Sequence, residues 1–136
     1  MQQDSAPQRV LYVEDDRINI VLMEEVFRHL PDWQLICAET GAEALQLLQA
    51  GPIPVLALID MNLPDTSGLE LRRRLQRDPH LETLRCVALS ADDDLATIEA
   101  AKNAGFCDYW PKPIEVRRFV TLLQSHLQTP LLTQPA

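Results

Sequence analysis

Ala57-Leu58-Ile59-Asp60-Met61-Asn62-Leu63-Pro64-Asp65-Thr66-Ser67-Gly68 is the stretch around which the chain is organised. Residues 54–59 form an apolar run without alternation, set off by the breakers Gly51, Pro52 and Pro54, and this pattern predicts a short strand buried on both faces. Asp60 ends the run abruptly. A carboxylate after five consecutive apolar residues must leave the core at the strand's carboxyl end or stay buried with a partner. Pro64 stops the strand, and Ser67-Gly68-Leu69-Glu70 has the spacing of a capping box that opens the next helix. Asp60 is therefore expected in the crevice at a strand's C-terminal end, where open α/β sheets hold their ligands.

Working outward, the same grammar repeats. Val10-Leu11-Tyr12-Val13 reads as a strand that also ends in acid, Glu14-Asp15-Asp16. Ile18, Leu22, Val26 and Leu30 then recur at helical spacing, broadened by Ile20, Val21, Met23 and Phe27. Pro31-Asp32 breaks that helix. Residues 33–38 give a second strand, and Thr40-Gly41-Ala42-Glu43 is a second capping box, opening a helix that reaches Gly51.

Beyond the central strand and its helix, the strand Cys86-Val87-Ala88-Leu89 ends in Ser90. Asp92-Asp93-Asp94 leads into a small-residue helix with Leu95, Ile98 and Ala101, closed by Gly105. Residues 106–110 read as a fifth strand running into Pro111-Lys112-Pro113, and a last helix carries Val116, Val120, Leu123 and Leu127. Five strand–helix repeats predict an α/β protein, with a parallel sheet, helices on both faces and right-handed crossovers. Five strands suit the doubly wound order 2-1-3-4-5, and Pro111 suits an edge strand, where a missing N–H is tolerated. The expected organisation is a disordered tail over residues 1–8, one domain over 9–127, and a tail or linker over 128–136.

Composition bounds the function. The chain has 136 residues, 46% apolar and 24% charged, the profile of one globular domain. A net charge of −8 speaks against a nucleic-acid or anionic-membrane surface. The polar start MQQDSAPQR does not read as a signal peptide, and no apolar run approaches the roughly 20 residues that span a bilayer. Cys37, Cys86 and Cys107 are odd in number and lack CxxC spacing, so buried free thiols in a reducing cytoplasm are expected.

In the 2-1-3-4-5 order the polar strand ends become neighbours. Glu14 and Asp15 come from strand 1, Asp60 from strand 3, Ser90 from strand 4 and Lys112 from strand 5. Three carboxylates in one crevice repel one another unless a cation joins them, and hard oxygen ligands suit Mg²⁺. With a hydroxyl and an ammonium to bind an anion's oxygens, Asp60 is equipped as a carboxylate nucleophile towards a phosphoryl group. Read singly, each residue has a plainer explanation. Glu14, Asp15 and especially Asp16 favour the first helix's N-terminus, Asp92-Asp93-Asp94 is a solvated helix start, and Ser90, Lys112, Tyr109 and Trp110 are ordinary strand-end and packing residues. His29, His80 and His126 carry no assigned chemistry.

Over residues 9–127 the chain resembles a response-regulator receiver domain. The matching pieces are Val13-Glu14-Asp15-Asp16, Ile59-Asp60-Met61-Asn62-Leu63-Pro64, Gly68, Ala88-Leu89-Ser90-Ala91, Ala104-Gly105 and Lys112-Pro113. The resemblance implies a flavodoxin-like receiver fold in which Asp60 accepts phosphoryl from a histidine kinase or histidine phosphotransfer protein. It implies Mg²⁺ held by Asp15, Asp60 and the Asn62 carbonyl, with Glu14 acting through water. It further implies that Ser90 and Lys112 contact the phosphoryl group, that Tyr109 is the aromatic switch residue, and that the Lys112–Pro113 bond is cis. Output would leave by protein contact through helix 4, strand 5 and helix 5 in the cytoplasm, with no basic helix-turn-helix to bind DNA. Thr66-Ser67 before the glycine and Trp110-Pro111 before the lysine depart from the common pattern. Two alternatives remain open. An aspartate-nucleophile phosphohydrolase would want a second carboxylate where Asn62 stands, and a degenerate binding-only receiver would have lost an acid, the aspartate or the lysine.

Overall fold

The computed structural model describes residues 8–132. In chain order the elements are β1 (Gln8–Val13), α1 (Arg17–Arg28), β2 (Trp33–Ala38), α2 (Gly41–Ala50), β3 (Leu56–Asp60), α3 (Gly68–Arg77), β4 (Cys86–Ser90), α4 (Leu95–Asn103), β5 (Asp108–Pro111) and α5 (Val116–Leu132). The strands form one sheet in the order β2-β1-β3-β4-β5, every neighbouring pair parallel. This is the α/β architecture and strand order expected from the repeats. Pro111 lies in the edge strand β5, opposite Ser90.

Side chains alternate along each strand, and each face collects its own helices. Val10, Tyr12, Leu56, Leu58, Val87 and Leu89 join Met23 and Phe27 of α1 and Phe119 and Leu123 of α5. Leu11, Val13, Ala57, Ile59, Cys86 and Ala88 join Leu48 of α2, Leu71 and Leu75 of α3 and Ala101 of α4. Three helices therefore cover the second face, where the sheet presents mostly small residues at its centre.

The helix starts obey the local signals. Thr40 Oγ1 accepts from Glu43 N at 2.9 Å and Ser67 Oγ accepts from Glu70 N at 3.0 Å. The return half of the capping box is altered in both. Glu43 accepts from Glu39 N, one residue before the cap, while Glu70 turns outward to Arg73 and Arg74. Helix α4 ends in a Schellman motif: Phe106 N donates to Ala101 O, Gly105 N donates to Lys102 O, and Gly105 adopts φ +102°.

Several expectations change in detail. β3 begins at Leu56, two residues after Pro54, and includes Asp60 itself. β5 begins at Asp108, because Phe106 is spent on closing α4. The buried stripe of α1 is Ile20, Met23, Val26 and Phe27; Ile18 is 71% exposed and Val21 52%. The periodic stripe beginning at Ile18 was offset because tertiary packing chose a neighbouring row of the same apolar helix. α5 continues to Leu132, so residues 128–132 of the expected tail are helical. Residues 1–7 and 133–136 of the expected tails lie outside the described residues. The three cysteines are free, but only Cys86 is buried; Cys37 is half-buried and Cys107 exposed, a correction to three buried thiols.

Candidate functional site at the carboxyl edge of the sheet

Parallel pairing makes β1, β3, β4 and β5 end together, so the residues that close each strand meet. Asp60 is the last residue of β3 and 5% exposed, and Glu14 follows β1 at 1%. A carboxylate oxygen from each of Glu14, Asp15 and Asp60 lies within 4.8 Å of the others, Asp15 being the exposed member. Lys112, one residue past β5, places Nζ 2.8 Å from Glu14 Oε1 and 3.2 Å from Asp60 Oδ1. Asn62 N donates to Asp60 Oδ1 at 3.3 Å, although the Asn62 residue itself is exposed.

The close acids leave their mark on the electrostatics. Burial, followed by the nearby Glu14, pushes the Asp60 carboxyl up to about 6, against the opposing pull of Lys112 and the Asn62 N–H. For Lys112 burial works downward, but the hydrogen bond to Glu14 and the charge of Asp60 prevail and hold the ammonium above its usual range. Three carboxylates against one ammonium leave a formal excess of negative charge when all are ionised. All the side-chain donor atoms are hard oxygens, so charge and donor type both fit a divalent cation such as Mg²⁺.

The remaining expected residues fall around this cluster. Ser90 closes β4, 1% exposed, and its Oγ accepts from Asp92 N at 3.0 Å. Tyr109 is half-buried, and its hydroxyl donates to the Asp92 carbonyl, tying β5 to the loop that follows Ser90. The Lys112–Pro113 bond is cis. Asp16 is the N-cap of α1, accepting from Ile18 N at 2.9 Å, and stands outside the acidic triad.

Three residues escaped the sequence reading. Tyr12 is wholly buried on β1 and donates its hydroxyl to Glu14 Oε1 at 2.8 Å; burial and the neighbouring Glu14 raise its phenol well above the ordinary range. A tyrosine two before the acid that follows a strand was the available signal, since extended backbone puts the two on one face and a buried phenol needs a partner. Asp65 accepts from Gly41 N at 2.9 Å and Ala42 N at 3.0 Å, so the loop after β3 caps α2; these bonds hold its carboxyl below the usual range. No local signal pairs residues 24 apart. His126, assigned no chemistry, bridges Asp108 Oδ2 at 2.9 Å and Arg85 Nη2 at 2.8 Å.

A parallel 2-1-3-4-5 sheet whose carboxyl edge gathers three acids and one lysine has the architecture of a receiver. The family model described as the response regulator receiver domain matches residues 10–124, and the chain belongs to that family. Receiver domains of this family are phosphoacceptor signalling modules that bind Mg²⁺ at an acidic pocket. The polar-differentiation response regulator DivK of Brucella anthropi is 32% identical over 121 residues, which cover 89% of this chain and 97% of the relative. Among solved structures, a putative response regulator from Chloroflexus aurantiacus superposes with TM-score 0.81 at 30% identity, covering 90% of this chain and 98% of the other. The Mn²⁺-bound form of response regulator Rcp1 gives 0.78 at 27%, covering 96% of this chain and all of that one. Among the described residues no helix is long and apolar enough to cross a membrane.

Proposed function

We propose that Asp60 is the phosphoacceptor of a two-component or phosphorelay receiver, taking its phosphoryl group from a phosphohistidine on a histidine kinase or phosphotransfer protein. The observation that carries this reading is the convergence of Glu14, Asp15, Asp60 and Lys112 in one pocket at the carboxyl edge of the sheet.

In the transfer an Asp60 carboxylate oxygen forms a bond to phosphorus as the phosphorus–nitrogen bond breaks, and the electron pair of that bond stays on the imidazole. Asp60 Oδ1 is already oriented by the Asn62 N–H and by Lys112 Nζ. Lys112 then turns to the phosphoryl oxygens, and the Ser90 hydroxyl supplies a second contact. Asp15, Asp60 and the Asn62 carbonyl would hold Mg²⁺, with Glu14 acting through water, and the bound ion supplies positive charge against the developing phosphoryl charge. Ser90 and Tyr109 form the switch. Both act on one peptide of the β4–α4 loop, Ser90 accepting from Asp92 N and Tyr109 donating to Asp92 O. Drawing Ser90 towards phosphoryl therefore disturbs Tyr109, and with it the α4–β5–α5 face that would meet a downstream protein.

On this reading the protein works in the cytoplasm as a signalling module that assists its own phosphorylation and dephosphorylation. The phosphohydrolase alternative is disfavoured because Asn62 stands where its second carboxylate would be. The binding-only alternative is disfavoured because both acids, the aspartate and the lysine are all in place. Acetyl phosphate with Mg²⁺ is expected to add one base-labile phosphoryl group, read by intact mass, and Asp60→Asn to abolish it. Equal labelling of Asp60→Asn would overturn the assignment.

A further inference from the structure

Beneath the acidic pocket lies a phenol that nothing above requires for packing alone. Tyr12 is wholly buried in the sheet face that carries α1 and α5, and its hydroxyl is aimed at Glu14 Oε1, 2.8 Å away. Lys112 Nζ reaches the same oxygen at 2.8 Å. The second oxygen, Glu14 Oε2, accepts from Asp16 N at 3.2 Å. Lys112 is also shared with Asp60, at 3.2 Å. A shared ammonium and a phenol buried in the core thus meet on a carboxylate that is 1% exposed.

We propose that Tyr12 is a positioning residue for phosphoryl acceptance at Asp60: its hydroxyl holds Glu14 in place and is the side-chain donor that remains when Lys112 turns to the phosphoryl group. The inference rests on the phosphoacceptor reading and deepens it. An ammonium that moves to new anionic oxygens leaves its old partner behind. A buried carboxylate left with only the Asp16 N–H on its other oxygen carries part of the desolvation penalty, which would oppose the lysine's movement. With Tyr12 in place, Glu14 keeps a directed hydrogen bond throughout, and Lys112 is free to exchange. The donor is well suited to the task, because a tyrosine has two side-chain torsions and its ring is locked within the core. In the same way, a group that fixes a ligand's orientation from behind tunes the site without touching what binds there.

The test compares wild type, Tyr12→Phe, Glu14→Gln and the double variant. Each is titrated with Mg²⁺ by calorimetry and labelled with acetyl phosphate at saturating Mg²⁺. Phenylalanine fills the same space, so the change removes the hydroxyl alone, and urea midpoints check that the fold is kept. Tyr12→Phe is expected to weaken Mg²⁺ binding by about three- to tenfold and to slow labelling by a similar factor. In the Glu14→Gln background the same substitution is expected to change either quantity by less than about twofold, since Tyr12 acts through Glu14. A Tyr12→Phe variant indistinguishable from wild type overturns the inference, as does an equal loss in both backgrounds, which a packing role would produce. A wild-type protein that neither binds Mg²⁺ nor labels on Asp60 overturns the functional reading itself, and this inference with it.

Discussion

At Asp60 a carboxylate 5% exposed shares its pocket with Glu14 and Asp15 and meets one ammonium at 3.2 Å. Burial and Glu14 outweigh Lys112, so its carboxyl is pushed up to about 6 in the folded, metal-free protein, against about 3.9 in the unfolded chain. A raised carboxyl stabilises the fold below the unfolded value, and that contribution is lost as pH rises through the folded value. The window is therefore about pH 4 to 6, and the loss is on the order of 1–2 kcal/mol after a discount for solvent at the pocket mouth. Urea denaturation in EDTA should show wild type losing stability relative to Asp60→Asn across this window, with Mg²⁺ restoring it at pH 7.5. Parallel curves for the two proteins would contradict the electrostatic account.

Two glycines do different work for the elements that frame the pocket. A Cβ on Gly68 would lie 2.9 Å from Asp60 O and 2.9 Å from Met61 Cα, both backbone positions that cannot give way independently of the loop that carries Asp60. Gly105 adopts φ +102°, where an L-residue is strained whatever the surrounding space. Gly105→Ala is thus expected to cost about 1–2 kcal/mol in a urea melt, with Mg²⁺ affinity retained. Gly68→Ala is expected to weaken Mg²⁺ binding as well, because the displaced backbone carries Asp60 and Asn62. The reverse pattern would mean that the α3 start does not position the pocket.

Across the whole molecule the helices are anchored unequally. α1 buries Ile20, Met23, Val26 and Phe27, whereas α4 buries only Ala101, leaves Leu95 71% exposed and begins at Asp94 without a side-chain cap. Few buried apolar contacts mean a low local opening free energy, so α4 should exchange its amide hydrogens faster than α1. Its N-terminal approach is held through Asp92, on which Ser90 and Tyr109 both act. Beryllofluoride with Mg²⁺, standing in for the phosphoryl group, is expected to shift amide NMR signals over α4, β5 and α5. Tyr109→Ala should suppress those distant shifts while leaving labelling of Asp60 intact. Shifts confined to the loops around Glu14, Asp60 and Ser90 would instead indicate a carrier that relays phosphoryl without changing an output face.

What could be read from the chain alone was whatever is written locally: apolar runs ended by acid, caps at Thr40, Ser67 and Gly105, and breakers between elements. These determine element order, and parallel topology follows from the repetition, so Glu14, Asp15, Asp60 and Lys112 could be expected at one edge before any coordinates. Only the tertiary structure decided which row of α1 turns inward, which of the three cysteines reaches solvent, and that Asp65 caps a helix begun 24 residues earlier. It also decided that Tyr12 and Lys112 share one oxygen of Glu14. Periodicity and capping are short-range, set by the geometry of one helix or strand. Partners drawn from different elements are chosen by register and crossover packing, which no single segment encodes.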